Sequence, residues 1–461
     1  MSSFLVAKND NIPELPSIYD SDISIDKFKD APHQKTQTPV YGTTWVAWLQ
    51  VISIMLINCA CALMWMTGAS SPTSMSAWLQ VDFTLLNWLS NVAAIVNTVF
   101  SLITLWSYER FSLKKNIMFA SITNLIGCWI RCLAIIVPKH NRYIVMIIGQ
   151  VIASIGGPFI YNIAAKFASL WFAPKHRGLA NTLTTLSLGM ILSPLMMPKL
   201  SNTPEDVPQT LLIVAIISTG VAIPSFFLPS LPRIPCSPSA NQGRLQVWIG
   251  IKTLFVNTSF WICAFLCAIN AGMAFSMSTF IMEAIIPFGY TDHESGYCAA
   301  SITLAGFLGG LFSGYWAGKT GQHLLLIKVF TPLMAFTYIM FIFEIIPNAF
   351  SIILMVCILS GFFSYALFPL HVEFACEISY PVPESISSSL LWAISSLSML
   401  IFCVIIDSFR AGPEANPPNN MKTSMIIVAV IVCVGSLPTV LLKGDLKRLA
   451  FDIEGQQDEK K

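Results

Sequence analysis

The stretch Leu231-Pro232-Arg233-Ile234-Pro235, running on through Pro238 to Arg244, decides the fold. Proline has no backbone N–H and its ring collides with the carbonyl one turn back, so no helix continues through this stretch. Apolar runs stand on either side of it. Before it they cover 45–67, 83–107, 116–137, 143–169, 178–198 and 209–230. After it they cover 258–286, 296–317, 324–346, 349–375, 386–406 and 423–442. Each run is close to the ~20 residues that a helix needs to cross a ~30 Å hydrocarbon layer. The pattern predicts an all-α integral membrane protein of twelve transmembrane helices, arranged as two six-helix bundles over 43–230 and 258–442. A cytosolic linker, 231–257, joins them, and 1–42 and 443–461 are tails.

Composition points the same way. Of 461 residues, 55% are hydrophobic and 11% are Asp, Glu, Lys or Arg, where soluble domains carry roughly 25% of those charges. Mean hydropathy is +0.68. A soluble enzyme, a disordered protein and a secreted disulfide scaffold are excluded, and a net charge of +2 gives no footprint for a nucleic-acid partner. Most of the 12 cysteines lie inside the apolar runs. Cys128/Cys132 and Cys263/Cys267 recur at i,i+4, but two thiols do not make a four-ligand zinc site, and cysteine serves well as a small apolar residue. No metal or cofactor is expected. No Gly-x-x-x-x-Gly-Lys-Ser/Thr loop and no hydrolase constellation occurs, so catalysis is not expected. Residues 1–42 mix Asp20, Asp22, Asp26 and Asp30 with Lys27, Lys29 and Lys35 among four prolines; such a segment buries no core and reads as a disordered tail rather than a signal peptide.

An even number of spans puts both tails on one side, and the distribution of Lys and Arg chooses the side. With the tails inside, the inner connections hold Arg110, Lys114, Lys115, Lys166, Lys175, Arg177, Arg233, Arg244, Lys252, Lys319 and Lys328. The outer ones hold Lys139, Arg142, Lys199, Arg410 and Lys422. Both termini are therefore expected in the cytosol, with Lys139 and Arg142 dissenting.

Twelve spans in two halves about a basic linker resembles the layout of the major facilitator transporters, which implies a substrate site near the bilayer midplane between rocking halves. Helix-breaking residues fit this: Gly156-Gly157-Pro158 in span 4, Pro194 and Pro198 in span 5, Gly361 and Pro369 in span 10. Gly306, Gly309, Gly310 and Gly314 in span 8 read as a close helix contact. The loops Tyr108-Glu109-Arg110-Phe111-Ser112-Leu113-Lys114-Lys115 and Gly314-Tyr315-Trp316-Ala317-Gly318-Lys319-Thr320-Gly321 occupy equivalent places in the two halves. They are degenerate forms of the superfamily's cytosolic latch, which makes Arg110 a gating candidate; a plain turn with basic anchors accounts for them equally well.

Several stretches resemble the feline leukaemia virus subgroup C receptor-related transporters, solute carrier family 49. The sharpest runs from His371-Val372-Glu373 through Glu377, Tyr380-Pro381 and Glu384 into Ser385-Ile386-Ser387-Ser388-Ser389. Others are Asn87-Trp88-Leu89-Ser90, Gly149-Gln150, Ala168-Ser169-Leu170-Trp171-Phe172, Asn270-Ala271-Gly272 with Ser278-Thr279, and Asp445-Leu446-Lys447-Arg448. They fall in the family's order from about residue 50 to 450. The family includes choline and ethanolamine transporters, proteins described as haem exporters and a lysosomal vitamin transporter. The resemblance implies that Trp65 and Phe275 face the central cavity from opposite halves; Phe275 stands where choline-binding members have Tyr. Asn270 and Gly189 complete the implied substrate-binding set. Gly189 falls where the family has Gln, so a polar group that would orient a hydroxyl is missing there. Aromatic faces suit a quaternary ammonium, because a desolvated cation gains ~2 kcal/mol over a ring. An aromatic at a membrane boundary is the plainer account of each.

Charges within spans are costly and default to function. Arg131 in span 3 is either such a charge or a side chain that snorkels outward. Glu283, late in span 7, is either functional or solvated. Glu373 and Glu377 stand at i,i+4 on one face of span 10. Either they pair with Lys166, Lys175 or Arg177 across the halves and latch the outward-open state, or they are simply solvated at the helix end. Of the histidines only His371 lies inside a span, which weakens a haem substrate that would be ligated through iron. The expected function is alternating-access transport of a small organic solute, a choline- or ethanolamine-like cation. A haem or vitamin exporter is the alternative within the class, and a non-transporting membrane sensor or scaffold the alternative outside it. No carboxylate relay stands out in spans 1–6, which favours uniport. The chain is expected as a monomer in the lipid bilayer of the plasma membrane or a vacuolar or lysosomal membrane.

Overall fold

A computed structural model describes residues 43–185, 187–232, 247–344, 349–412 and 414–458. The expected tail 1–42 and most of the Pro/Arg stretch that separates the halves lie outside the described residues. Among those described, twelve helices are long and apolar enough to cross a membrane: Trp45–Met66, Phe83–Arg110, Leu113–Ile135, Lys139–Trp171, Pro174–Leu200 and Pro204–Ser225, then Thr258–Phe288, Asp292–Thr320, His323–Ile342, Phe350–Ser379, Glu384–Ser408 and Lys422–Leu441. They are spans 1 to 12. Their ends fall within a few residues of the apolar runs, because the polar breaks that delimit those runs also supply the caps. Asp82 accepts from Leu85 N at 3.0 Å to open span 2, and Asn257 accepts from Phe260 N at 3.1 Å to open span 7. Thr291 and Glu294 form a reciprocal capping box at the start of span 8.

Two chain segments are more ordered than expected. Part of the predicted linker is a helix, Val247–Val256, and part of the predicted C-terminal tail is a helix, Lys447–Asp458, that docks on span 10 through Arg448. Arg448, expected in the tail, has its charge neutralised by carboxylates at the end of span 10.

The helix-breaking residues act in one of the three places expected. Span 4 is interrupted at Asn162, after Pro158. In span 5 the helix Gly189–Leu200 runs through both Pro194 and Pro198. Span 10 runs unbroken from Phe350 to Ser379 through Gly361 and Pro369. Gly361 serves a different purpose there: a Cβ on it would collide with the backbone carbonyl of Ile302, so its absence lets spans 10 and 8 touch backbone to backbone.

The two sets of six spans meet along span 2 against span 11 and span 5 against span 8. Large apolar side chains cover the outside. Trp45, Trp106, Phe336, Val430 and Val434 are all more than half exposed. A surface of this kind needs lipid rather than water as its solvent. The face that carries Trp45 and the C-terminal helix is called the terminal face below, and the opposite one the distal face.

Candidate functional site: a ring-lined cavity closed at both faces

A hollow with about 690 Å³ of empty space lies between the two sets of spans. Its walls are aromatic. Phe275 of span 7 stacks on Trp392 of span 11 with centroids 5.9 Å apart, and Tyr161 of span 4 stacks on the same indole at 5.4 Å. Trp65 of span 1 stands edge-on to Phe275 at 6.5 Å, and Tyr365 and Phe368 of span 10 stand at 6.0 and 5.8 Å from it. Rings from both halves therefore converge on one space, and Phe275 touches four of the others. Among the described lining residues there is no Asp, Glu, Lys, Arg or His.

Several of the polar groups of the cavity are unsatisfied. Asn58 Oδ1, Asn97 Oδ1 and Thr185 Oγ1 are buried without a hydrogen-bond partner among the described residues, and so is the Trp65 indole N–H. Asn58 holds its place by donating from Nδ2 to Thr184 O at 3.0 Å, which leaves its carbonyl free. Buried polar groups are normally paired, and exceptions call for a ligand, a water or a function. Here the exceptions share one cavity: two amide oxygens, a hydroxyl and an indole N–H among aromatic rings.

Bonds between the two sets of spans stand on either side of the cavity. On the distal side, Asn87 of span 2 donates to Glu283 Oε2 of span 7 at 3.3 Å, and Arg410 pairs with the same carboxylate and with Asp407 at 3.1 Å. Thr73 donates to Asp292 at 3.2 Å beside them. On the terminal side the Ser-rich start of span 11 makes the contacts. Ser385 donates to Glu109 Oε1 at 2.6 Å, Thr104 to Ser389 Oγ at 2.9 Å, and Ser388 to Asn162 O at 3.3 Å. Lys166 holds Glu109 at 2.6 Å from behind. Spans 5 and 8 close up further through Thr182, which donates to Gly310 O at 3.2 Å.

Of the expected binding residues, Trp65 and Phe275 both line the cavity, from the first and last six spans. Asn270 and Gly189 lie outside the lining. Asn270 donates to Ser364 O at 2.9 Å and ties span 7 to span 10. Gly189 faces span 1, where a Cβ would collide with the carbonyl of Cys59, so it is a helix-contact glycine. Of the expected gating residues, Lys166 binds Glu109 rather than Glu373 or Glu377, and Arg110 is exposed at the end of span 2. Glu373 and Glu377 hold Arg448, at 3.3 and 2.6 Å, and Glu384 stands 3.6 Å from it. Arg177 is buried and shares a small recess with Glu373 and Arg448. The partner not foreseen was thus Arg448, a cation beyond span 12 brought back by the helix Lys447–Asp458. Arg131 does not snorkel: it is 2% exposed and donates from Nη1 to Met64 O at 2.8 Å, next to Trp65. Glu283 is 4% exposed and paired, not solvated.

Tyr161, Trp392, Tyr365 and Phe368 were not singled out from the sequence. A signal was present for two of them. Tyr161 follows the Gly156-Gly157-Pro158 break, and Trp392 follows the Ser-rich run of the family-like motif.

A pair of six-span sets enclosing a cavity that bonds seal at either face is the architecture of an alternating-access carrier. The chain belongs to the Major Facilitator Superfamily, whose family profile matches residues 54–402, and it is a multi-pass membrane transporter of that superfamily. The resemblance to solute carrier family 49 holds across most of the length. The chain is 26% identical over 411 residues to solute carrier family 49 member A3 of Xenopus tropicalis, covering 84% of this chain and 85% of the relative. It is 25% identical over 393 residues to the choline/ethanolamine transporter FLVCR2 of Homo sapiens, covering 79% and 70%. Among solved structures it resembles FucP in the outward conformation, with a TM-score of 0.60 at 12% identity over 87% of this chain and 100% of that one. The nucleoside transporter NupG follows with 0.58 at 13% identity, over 85% and 99%. At these identities the two structures speak for the fold alone.

Proposed function

We propose that the chain carries a small organic cation of the choline or ethanolamine kind across its membrane by alternating access. The observation that carries the proposal is the convergence of Trp65, Tyr161, Phe275, Tyr365, Phe368 and Trp392 on a cavity whose described lining holds no charged side chain. A quaternary ammonium offers no hydrogen-bond donor, so a carboxylate is not required to hold it; ring faces attract it through their quadrupole, by ~2 kcal/mol or more once water is excluded. The free acceptors of Asn58, Asn97 and Thr185 suit the hydroxyl of choline or the N–H groups of ethanolamine. They supply the polar group that Gly189 cannot. Relatives named choline/ethanolamine transporters support the same substrate class. Haem ligated through its iron finds no histidine in the described lining.

In this reading residues 43–230 and 258–442 are two bundles that rock about the cavity. The basic terminal face looks into the cytosol, and the working unit is a monomer in the plasma membrane or a vacuolar or lysosomal membrane. The Asn87–Glu283–Arg410 cluster is the outer gate. The contacts of Ser385, Ser388 and Ser389, backed by Glu109 and Lys166, form the inner one. The test is uptake of labelled choline and ethanolamine by liposomes that contain the purified protein. Trp65→Ala and Trp392→Ala are expected to raise the half-saturating concentration of either substrate at least tenfold; uptake at parental affinity by both variants ends the proposal.

A further inference from the structure

A second hollow, with about 900 Å³ of empty space, lies between spans 9 and 12 on the outer surface and opens away from the transport cavity. Its walls are apolar, and Leu333, Phe336, Val434, Leu437 and Val440 around it are exposed. In a membrane protein such a surface meets acyl chains. The polar groups of this groove sit toward its terminal end. Lys328, on the second turn of span 9, lines it and enters no ion pair among the described residues. Thr439 lines it from the opposite wall. Thr439 is 6% exposed and its hydroxyl has no hydrogen-bond partner among the described residues. It lies on the tight turn Leu437–Leu441, where Pro438 ends the α-helix of span 12.

We propose that this groove binds a glycerophospholipid with a net negative headgroup. The phosphate takes the Lys328 ammonium on one oxygen and the Thr439 hydroxyl on another, and one acyl chain lies along span 9 toward Ile339. From Lys328 to Ile339 the helix rises about 16 Å, so the wall is long enough for most of a chain. Depth fits as well. Lys328 is five residues into a helix that starts at His323, about 8 Å from the terminal end of the span, where headgroups meet hydrocarbon. The sign of the headgroup follows from the lining, which has one cation and, among the described residues, no carboxylate. The ammonium of a zwitterionic lipid would find no partner there. A buried hydroxyl without a bond is costly in an apolar wall, and a phosphate oxygen relieves it. Nothing in this inference depends on which solute crosses the central cavity.

The full-length protein, purified in mild detergent, is mixed with equal amounts of dioleoyl-phosphatidylglycerol and dioleoyl-phosphatidylcholine and examined by native mass spectrometry. Phosphatidylglycerol is expected to stay bound at least fivefold more than phosphatidylcholine. Lys328→Ala removes an exposed side chain and should leave folding intact, and Ile339→Trp fills the groove from a position that already faces lipid. Either is expected to bring phosphatidylglycerol retention down to the phosphatidylcholine level, with an unchanged unfolding temperature in detergent alone. Equal retention of the two lipids by the parent protein, or a preference that survives both substitutions, overturns the proposal.

Discussion

Arg448→Ala tests how the C-terminal helix is held. The guanidinium lies 2.6 Å from Glu377, 3.3 Å from Glu373 and 3.6 Å from Glu384, and its side chain is 4% exposed. Burial by itself would lower its pKa; Glu377, Glu373 and Glu384 outweigh burial and hold it well above the usual arginine value, so the charge is permanent. Alanine takes from Glu377, Glu373 and Glu384 the guanidinium that stands between them. Removing one partner of a buried ion pair costs ~3–5 kcal/mol, and 1.4 kcal/mol is a tenfold change in an equilibrium. Among the described residues the helix is also tied by the Leu449 N–H, which donates to Glu377 Oε2 at 2.9 Å, and by the Tyr380–Phe451 ring contact at 5.4 Å. These are too few to absorb the loss, so undocking of Lys447–Asp458 should become at least ~100-fold more favourable. Amide hydrogen exchange read by mass spectrometry is the assay. Protection over 447–458 is expected to fall by about that factor while spans 1–6 keep theirs. Adding Glu377→Gln should return part of the protection, because it removes one of the stranded charges and the two changes share a network. Parental protection over 447–458 in a folded Arg448→Ala protein would refute the account of this network.

Three other substitutions probe the rest of the structure. Phe275→Tyr adds polarity at a ring that touches four others and should tighten half-saturation for choline about two- to fivefold, as measured by uptake, since Tyr holds a cation better than Phe by ~0.5–1 kcal/mol. Gly361→Ala drives a methyl into the Ile302 carbonyl, must push spans 8 and 10 apart, and should destabilise the protein by ~1–3 kcal/mol, seen as a lower unfolding temperature. Glu283→Gln keeps an acceptor for Asn87 but takes the charge from Arg410, which retains Asp407. A loss of ~1–2 kcal/mol at that face should speed thiol labelling of a cysteine placed at Thr73 about tenfold, measured from the distal side.

The spans were legible because a lipid solvent leaves the chain few choices. Every crossing segment must satisfy its own backbone and carry few charges, so helix and apolar run coincide to within a few residues at each end. The cap residues Asp82, Asn257 and Thr291 sit at the polar breaks for the same reason. Partnership was much less legible. Glu373 and Glu377 were correctly placed on one helical face, but sequence spacing does not say which of several cations on the terminal side reaches them, and Arg448 arrives from 71 residues away. Gly189 and Asn270 were named from a resemblance of position, which carries no orientation. Both turn toward neighbouring helices, Gly189 to span 1 and Asn270 to span 10. The wider ring cluster was missed because Tyr161, Tyr365, Phe368 and Trp392 lie in runs where aromatic residues are common, and only the packing of spans 4, 10 and 11 against spans 1 and 7 distinguishes them.

The chemistry of the cavity also bears on how such a carrier returns. A carboxylate in an occluded cavity would be stripped of water and left without a partner on every unloaded passage, at a cost of several kcal/mol. A carrier built that way needs a proton or a metal cation to cross with the empty form, and so couples transport to that ion. An aromatic wall carries no such penalty. It attracts a cation when one is present, and when none is present it presents surface that closes on itself at little cost, as the mutual stacking of Phe275, Trp392 and Tyr161 illustrates. The uncharged acceptors of Asn58, Asn97 and Thr185 can be served by water on the return stroke. The ionic groups stand instead at the two faces, where Glu283–Arg410 and Glu109–Lys166 keep partners on their own side of the cavity. On the proposed reading, a cation site made from rings and gates that carry the ionic groups separate binding from closure, and that division would favour facilitated diffusion even on a fold shared with a fucose:proton symporter.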